Sequence, residues 1–466
     1  MKMFFKSTRF GQVLFMGSVD AVSVIFLASF SYFTLPIFMH DPVRGVTYNF
    51  TFFVFPVLMA VIYPLVLYIL GLYEFQAEIR KQRLLKKLIL SGFLSCAVFL
   101  LADKIFGVTR VKFPLLLFFG FSVFYFYFQR LFVFKKILSF RMKKKGILFI
   151  GRDALTKHIE KRLTENAGYD IRGFIAGENQ AAENDKSGAA AYGDLKRLIT
   201  EKNVKMLILA MDRQIPLPLL KTVYKYSFES VSLYRSDSFY EFLTRKFAIE
   251  QFLQAKNTPF LDMQGFASPV YRRLKRLIDF AGSITALILL LPVFFAIALL
   301  VKITSKGPAF YLQERLGFQE KPFKLIKFRT MVEGAEKANG PQWARRGDSR
   351  VTRVGRILRK TRLDELPQLL NVLKGDMSFV GPRAFRKHFV DIFEEKVPFY
   401  TLKFCVKPGL TGWAQVNHYY RCSEQTFQDN IERLQYDLYY IKHASLLFDM
   451  LIIIKTFQTI VCRPAY

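Results

Sequence analysis

Cysteine is scarce and poorly placed for chemistry. The 466-residue chain has four (Cys96, Cys405, Cys422, Cys462), scattered and without a CxxC pair, which excludes a zinc site and a disulfide framework. Its five histidines show no metal-ligand spacing. Acidic residues are few as well: 37 Asp and Glu stand against 68 Lys and Arg, a formal net charge of +31. The first apolar run has no small-residue cleavage site after it and further runs follow, so no cleavable leader is read. What is abundant is apolar: 52% of residues are hydrophobic and 51 are Phe, too many for an ordinary soluble protein. The length allows two or three domains. The cations flank the apolar runs and no recognition motif accompanies them, which excludes nucleic acid and points to a membrane and its cytoplasmic side.

Four apolar segments come first, Val13–Met39, Asn49–Leu72, Leu88–Leu101 and Phe113–Phe134. The third needs extension back to Leu84 over two lysines to make a span. Lys2, Lys6 and Arg9 precede the first. Arg80, Lys81, Arg83, Lys86 and Lys87 separate the second from the third, and a basic run to Lys145 follows the fourth. The two remaining loops carry only Arg44, and Lys104, Arg110 and Lys112, so positive-inside bias puts both ends of a four-helix transmembrane domain, residues 1–140, in the cytoplasm.

Residues 141–265 read as a Rossmann-like cytoplasmic domain. Strand patterns at Gly146–Gly151, Ile171–Ile175, Val204–Ala210 and Ser230–Tyr234 alternate with helical ones at Ala154–Leu163 and Gly193–Glu201. Glu178–Ala191 reads as an exposed loop. GRDALTKH has one glycine where a dinucleotide loop needs three, which favours a structural or regulatory role over a cofactor site.

The apolar run Phe280–Val301 is long enough to span a bilayer, but basic residues flank both ends: Arg272, Arg273, Lys275 and Arg276 before, Lys302 and Lys306 after. Both flanks call for one side. With Pro292 mid-run, the expectation is a re-entrant helix over 272–303, broken at the proline.

The stretch from Leu358 to Arg383 sets adjacent carboxylates, Asp364 and Glu365, among Arg359, Lys360, Arg362 and Arg383. Leu366, Leu369, Leu370 and Leu373 follow at helical spacing, with Gly375 as a stop. Taken alone, acidic residues in a first helical turn merely complement the helix dipole. Likewise Lys327 and Arg329 read as surface charge, and Asp279 as an i,i+4 partner of Lys275.

An ordered series of motifs changes that reading: KRLID (Lys275–Asp279), GPAFYLQERLG (Gly307–Gly317), KFRTM (Lys327–Met331), GDSRVTRVGRILRKTRLDELPQ (Gly347–Gln368), NVLKGDMSFVGPR (Asn371–Arg383) and KPGLTGWAQV (Lys407–Val416). From about Tyr271 onward the chain resembles the bacterial polyprenyl-phosphate phosphoglycosyl transferases, and its larger layout is similar to the galactose-phosphate type. The resemblance implies a mostly helical catalytic domain, 266–466, with a re-entrant membrane helix. It implies transfer of sugar-1-phosphate from a UDP-sugar to undecaprenyl phosphate with release of UMP, at the start of exopolysaccharide, capsule or O-antigen synthesis. Asp364 is then the nucleophile of a covalent intermediate, and Glu365 a ligand of Mg2+. Lys327, Arg329, Arg359 and Arg383 bind substrate phosphate, and Arg276 and Asp279 anchor the re-entrant helix around Pro292. The implied place is the inner membrane, among its lipids, with catalysis on the cytoplasmic face and a homodimer as the assembly.

Three departures stand out: Ala384 where proline is usual, Leu291 before Pro292 where a small polar residue is common, and Asn417–Cys422 in place of an NGR pattern. Two other readings remain. A nucleotide-sugar dehydratase or epimerase would need the missing glycines and a Tyr-x-x-x-Lys pair, and a scaffold for export would have an eroded acidic motif.

Overall fold

The computed structural model describes residues 9–33, 47–73, 81–106, 112–133, 145–151, 154–164, 169–175, 189–190, 195, 197, 199, 203–210, 221, 223–226, 231–249, 268–335, 348–397, 399–417 and 427–462. The chain divides into two compact units, Met1–Arg141 with Phe457–Pro464 and Met142–Thr456 with Ala465–Tyr466.

In the first unit the four apolar segments fold as helices α1 (Arg9–Phe33), α2 (Thr47–Ile69), α3 (Lys81–Phe106) and α4 (Lys112–Phe128), the last continuing into a π-helical turn, Gln129–Val133. α1 and α3 each pack against α2 and α4. Aromatic edges fill the centre: Phe55 meets Phe99 and Phe118, and Tyr63 stacks on Phe126. Asp20 is fully buried and paired with Arg130 at 2.6 Å, with the Tyr73 hydroxyl donating to the same carboxylate. An unpaired charge there would be costly, so this pair ties α1 to the end of α4. Outward faces carry exposed Phe26, Phe93 and Phe124. α3 is long and apolar enough to cross a membrane over Leu84–Leu101; the apolar stretches Met16–Ser31, Phe55–Ile69 and Leu115–Leu131 are shorter.

The second unit opens with a parallel sheet in the order β3-β2-β1-β4-β5: β1 (Lys145–Ile150), β2 (Tyr169–Ile175), β3 (Ala189–Ala190), β4 (Val204–Leu209) and β5 (Ser232–Arg235), with α5 (Ala154–Thr164) after β1. Both faces of β1 are buried, Ile147 and Phe149 towards α5, Leu148 and Ile150 towards the other layer, which is why it reads as an unbroken apolar run. One expectation is corrected: within the segment read as an exposed loop, Ala189 and Ala190 pair with Phe174 and Ile175 as a short edge strand. Helix α6 (Ser236–Thr244) follows β5.

Helix α7 (Pro269–Thr304) starts at an N-cap, Ser268, with proline at its first position. The expected break at Pro292 is absent, and helical backbone runs through it for 36 residues. A lone proline removes one helical hydrogen bond, and surrounding apolar side chains give the backbone no other partner. Its apolar stretch is long enough to cross a membrane and is only 11% buried. Its first turns are fixed by a buried network in which Lys275, Tyr271 and Tyr440 all donate to Asp449 within 2.8 Å.

A hairpin follows, β6 (Phe310–Leu316) antiparallel to β7 (Pro322–Phe328), then α8 (Arg353–Thr361), a 3-10 turn (Leu363–Glu365) and α9 (Gln368–Lys374). β8 (Ser378–Val380) pairs in parallel with β9 (Gly409–Thr411), flanking α10 (Lys387–Glu394). α11 (Trp413–Asn417), α12 (Phe427–His443) and α13 (Leu446–Cys462) complete the chain. The core here gathers Phe385, Phe393, Tyr400, Phe404, Trp413, Leu434 and Tyr440.

Candidate active site

Two chain reversals bracket the acidic pair. Arg362 takes left-handed backbone (φ 58°), closing α8 and starting the 3-10 turn that carries Asp364 and Glu365. Gly375 (φ 95°) ends α9, its N–H bonding to Asn371 O and Val372 O. The pair therefore sits just before the helix, in a 3-10 turn.

β7 supplies the first cation. Asn371, buried on α9, donates to Lys324 O (2.8 Å) and accepts from Ile326 N–H (3.0 Å). This locks α9 to the strand, and Lys327 Nζ lies 3.9 Å from Glu365 Oε1. Sequence reasoning missed Asn371, which stands off the apolar spacing of Leu366, Leu369, Leu370 and Leu373 and gave no signal there. Arg383 comes from the turn after β8, its Nη2 donating to the same Oε1 at 2.8 Å. Gly381 N–H donates to Thr411 O and Gly409 N–H to Pro382 O, both at 2.9 Å. A Cβ on Gly409 would lie 2.0 Å from Gly381 N, and one on Gly412 2.2 Å from Gly381 O. These glycines thus serve close strand approach.

Electrostatics separate the two carboxyls. Burial, then neighbouring Glu365, push Asp364 up to about 6 against the pull of Lys327, Arg359 and Arg383. Glu365 is also raised by burial, but Arg383 and Lys327 outweigh that and hold it at about 2. Burial lowers Lys327 to about 8, Glu365 pulling the other way. Lys327, Arg359 and Arg383 thus pull the Asp364 carboxyl back towards the ionised form that burial disfavours. Arg359 donates from Nε to Thr330 Oγ1 (2.9 Å), so the KFRTM threonine positions it.

Arg329 lies elsewhere: its Nη2 donates to Ser305 O and Oγ, both 2.8 Å, at the end of α7. Arg276 donates to Val372 O (2.7 Å) and Leu373 O (2.8 Å), and Asp279 Oδ1 accepts from Phe379 N–H (3.0 Å) and Ser378 Oγ (3.1 Å). Lys275 pairs with Asp449, and Asp279 with backbone, in place of each other. Pro292 lies within the exposed part of α7. Trp413 is core, 4% exposed, its Nε1 donating to Arg245 O at 3.0 Å. Ala384, where proline was expected, is held by Arg315 through its carbonyl (3.3 Å) and followed by a Leu316–Phe385 backbone bond (2.8 Å), so the turn is braced without the ring. Of the Asn417–Cys422 departure, residues 418–422 lie outside the described residues; Asn417 donates to Trp413 O.

Residues 270–463 match the family model described as bacterial sugar transferase. A UDP-N-acetylgalactosamine-undecaprenyl-phosphate N-acetylgalactosaminephosphotransferase of Aeromonas hydrophila is 46% identical over 193 residues, 41% of this chain and 45% of that protein. A UDP-glucose:undecaprenyl-phosphate glucose-1-phosphate transferase of Escherichia coli (strain K12) is 42% identical over 200 residues, 43% of each. The exopolysaccharide production protein PSS of Rhizobium leguminosarum bv. phaseoli is 40% identical over 189 residues, 39% of this chain and 92% of that protein. The match spans less than half of the first two relatives and nearly all of the third. With the ordered motifs converging on one acidic pair, the chain belongs to the bacterial sugar transferase family.

Proposed function

We propose that the protein transfers sugar-1-phosphate from a UDP-sugar to undecaprenyl phosphate and releases UMP, as the first step of a surface polysaccharide. The observation that carries this is the acidic pair with cations on two sides: Asp364 and Glu365 buried, with Lys327, Arg359 and Arg383 acting on them. Relatives named for this transfer with N-acetylgalactosamine and with glucose support the substrate class.

Asp364 attacks the phosphorus that bears the sugar. Its oxygen forms the new P–O bond as the bond to the neighbouring phosphate breaks, and UMP leaves with the electron pair. An oxygen of undecaprenyl phosphate then attacks the same phosphorus and releases the Asp364 carboxylate, giving the lipid diphosphosugar. Splitting the transfer into two displacements gives ping-pong kinetics. Arg383 and Lys327 offset phosphate charge, Arg in the bidentate manner that suits oxyanions. Magnesium fits the carboxylates present. Among the described residues no group of three or more His, Cys, Asp or Glu forms a metal cage, and Mg2+ is typically held by one or two carboxylates, water and substrate phosphate. Glu365, kept ionised, would be its protein ligand, and the ion when bound neutralises phosphate oxygens.

The reading of helix α7 is re-entrant, entering and leaving on the cytoplasmic face of the inner membrane, its return made by a bend at Pro292 within continuous helix and not by a break. Supporting it, both ends of α7 bind one catalytic fold: Arg276 and Asp279 bond α9 and β8, while Ile297 and Val301 pack with Phe328 and Leu358. From Arg276 to Val301 a straight helix covers about 38 Å, more than a hydrocarbon core of ~30 Å. A single span would set those contacts on opposite sides of the bilayer.

The test is UMP release from a panel of UDP-sugars by purified protein with undecaprenyl phosphate and Mg2+, Asp364→Asn beside it. Release from one donor, lost in the variant, is expected. Release unchanged in Asp364→Asn would remove the nucleophile from this scheme.

A further inference from the structure

Residues 241–249 make contacts that the parallel sheet does not need. α6 ends at Arg245 in left-handed backbone (φ 59°), its N–H bonded to Glu241 O. A non-glycine residue is held there only when its surroundings demand it. From this bend the chain runs onto the transferase part. Arg245 O accepts from Trp413 Nε1 (3.0 Å), Arg245 Nη1 donates to the Tyr439 hydroxyl (3.0 Å), and Phe247 N–H donates to Gln435 O (2.9 Å). Lys246 pairs with Glu432, and buried Glu241 with Lys442 at 2.9 Å. Phe247 and Ile249, each 3% exposed, sit in the core that holds Val380, Phe385, Trp413 and Tyr439. The family match begins at 270, so the transferase core of this chain takes in residues that the match leaves out.

The docking point leads to the site. Trp413 stands two residues after β9, and β9 pairs with β8 (Ser378 with Gly409, Val380 with Thr411). Gly381 N–H and Pro382 O then bond to Thr411 O and Gly409 N–H, and Arg383, next along, binds Glu365. A rigid run of backbone bonds thus joins the α/β domain to the active-site cation.

We propose that the segment Arg245–Phe247, at the end of the α/β domain, positions the transfer site through its docking contacts. Docked on Trp413 and α12, this segment holds β9, and through it the Gly381–Arg383 turn, in register with Glu365. The proposal rests on the reading of Arg383 as a substrate-side cation.

The experiment uses the full chain in detergent or nanodiscs, with Lys246→Glu, Lys246→Glu/Glu432→Lys and Trp413→Phe. Hydrogen exchange is measured at the amides of Gly381 and Gly409, with the β6–β7 hairpin as reference. The first and third variants should exchange about tenfold faster at those two amides with the hairpin unchanged, and lose about tenfold in kcat with KM nearly constant. The Glu432→Lys partner should restore both. In an Arg383→Ala background, Trp413→Phe should cost no further activity. Unchanged exchange at Gly381 and Gly409, loosening that includes the hairpin equally, or an additive loss in that background would each overturn the proposal. A wild-type protein that releases no UMP would count against the functional reading, and the exchange data would still decide this one.

Discussion

Single residues decide how tightly the catalytic part closes. Gly409→Ala places a Cβ 2.0 Å from Gly381 N, so the strand pair must part. Expect a loss of about 2–4 kcal/mol, read as a fall in thermal midpoint. Arg383→Lys keeps the charge but loses the planar guanidinium whose Nη2 reaches Glu365, and kcat/KM for the UDP-sugar should drop about ten- to hundredfold. Behind that turn, burial raises Asp437 to about 7 although Lys403 and Arg433 pull it down, and burial lowers Lys403. An unfolded Asp releases its proton near pH 4, roughly, so between there and about 7 the native state binds more protons. Stability from this group therefore falls as pH rises through that window, and Lys403, lowered by burial, works in the opposite sense up to the ordinary lysine range. The midpoint of the wild type should decline between about pH 5 and about pH 7, and Asp437→Asn should flatten that decline.

At the scale of elements, α7 depends on its two docking ends. Asp279 satisfies the Phe379 N–H and the Ser378 hydroxyl while 4% exposed. Asp279→Ala strands a partly buried N–H, with an expected cost of about 1–3 kcal/mol, and protease should reach the Asp376–Phe379 segment sooner. The helix itself was legible as an apolar run with basic flanks. The break expected at Pro292 does not occur, because whether proline ends a helix depends on partners that local sequence does not name. The sheet was read nearly strand for strand from its apolar runs, save Ala189–Ala190, too short and too small to carry a strand pattern.

At the scale of the whole molecule, topology is the quantity to measure. Single cysteines placed at Arg273 and at Lys306, in a protein lacking its native four, should label from the same face in vesicles. Labelling from opposite faces would end the re-entrant reading and leave α7 a plain span. The expected domain 141–265 followed from alternating strand and helix patterns, and 266–466 from the family resemblance. In the structure Met142–Thr456 falls in one compact unit, and within it Phe247 and Ile249 enter the core around Trp413 while Glu241 pairs with Lys442.

The sequence by itself determined the parallel α/β segment, the apolar helices and the acidic pair with its basic neighbours, since each is a local pattern of periodicity or of ordered motif. Tertiary structure alone decided which cations reach Glu365, that Arg329 serves the end of α7, that Asn371 holds Lys327 in place, and that Trp413 belongs to the core. Those assignments join residues 18 to 168 positions apart, and spacing along a chain carries no distance between groups that folding alone brings together.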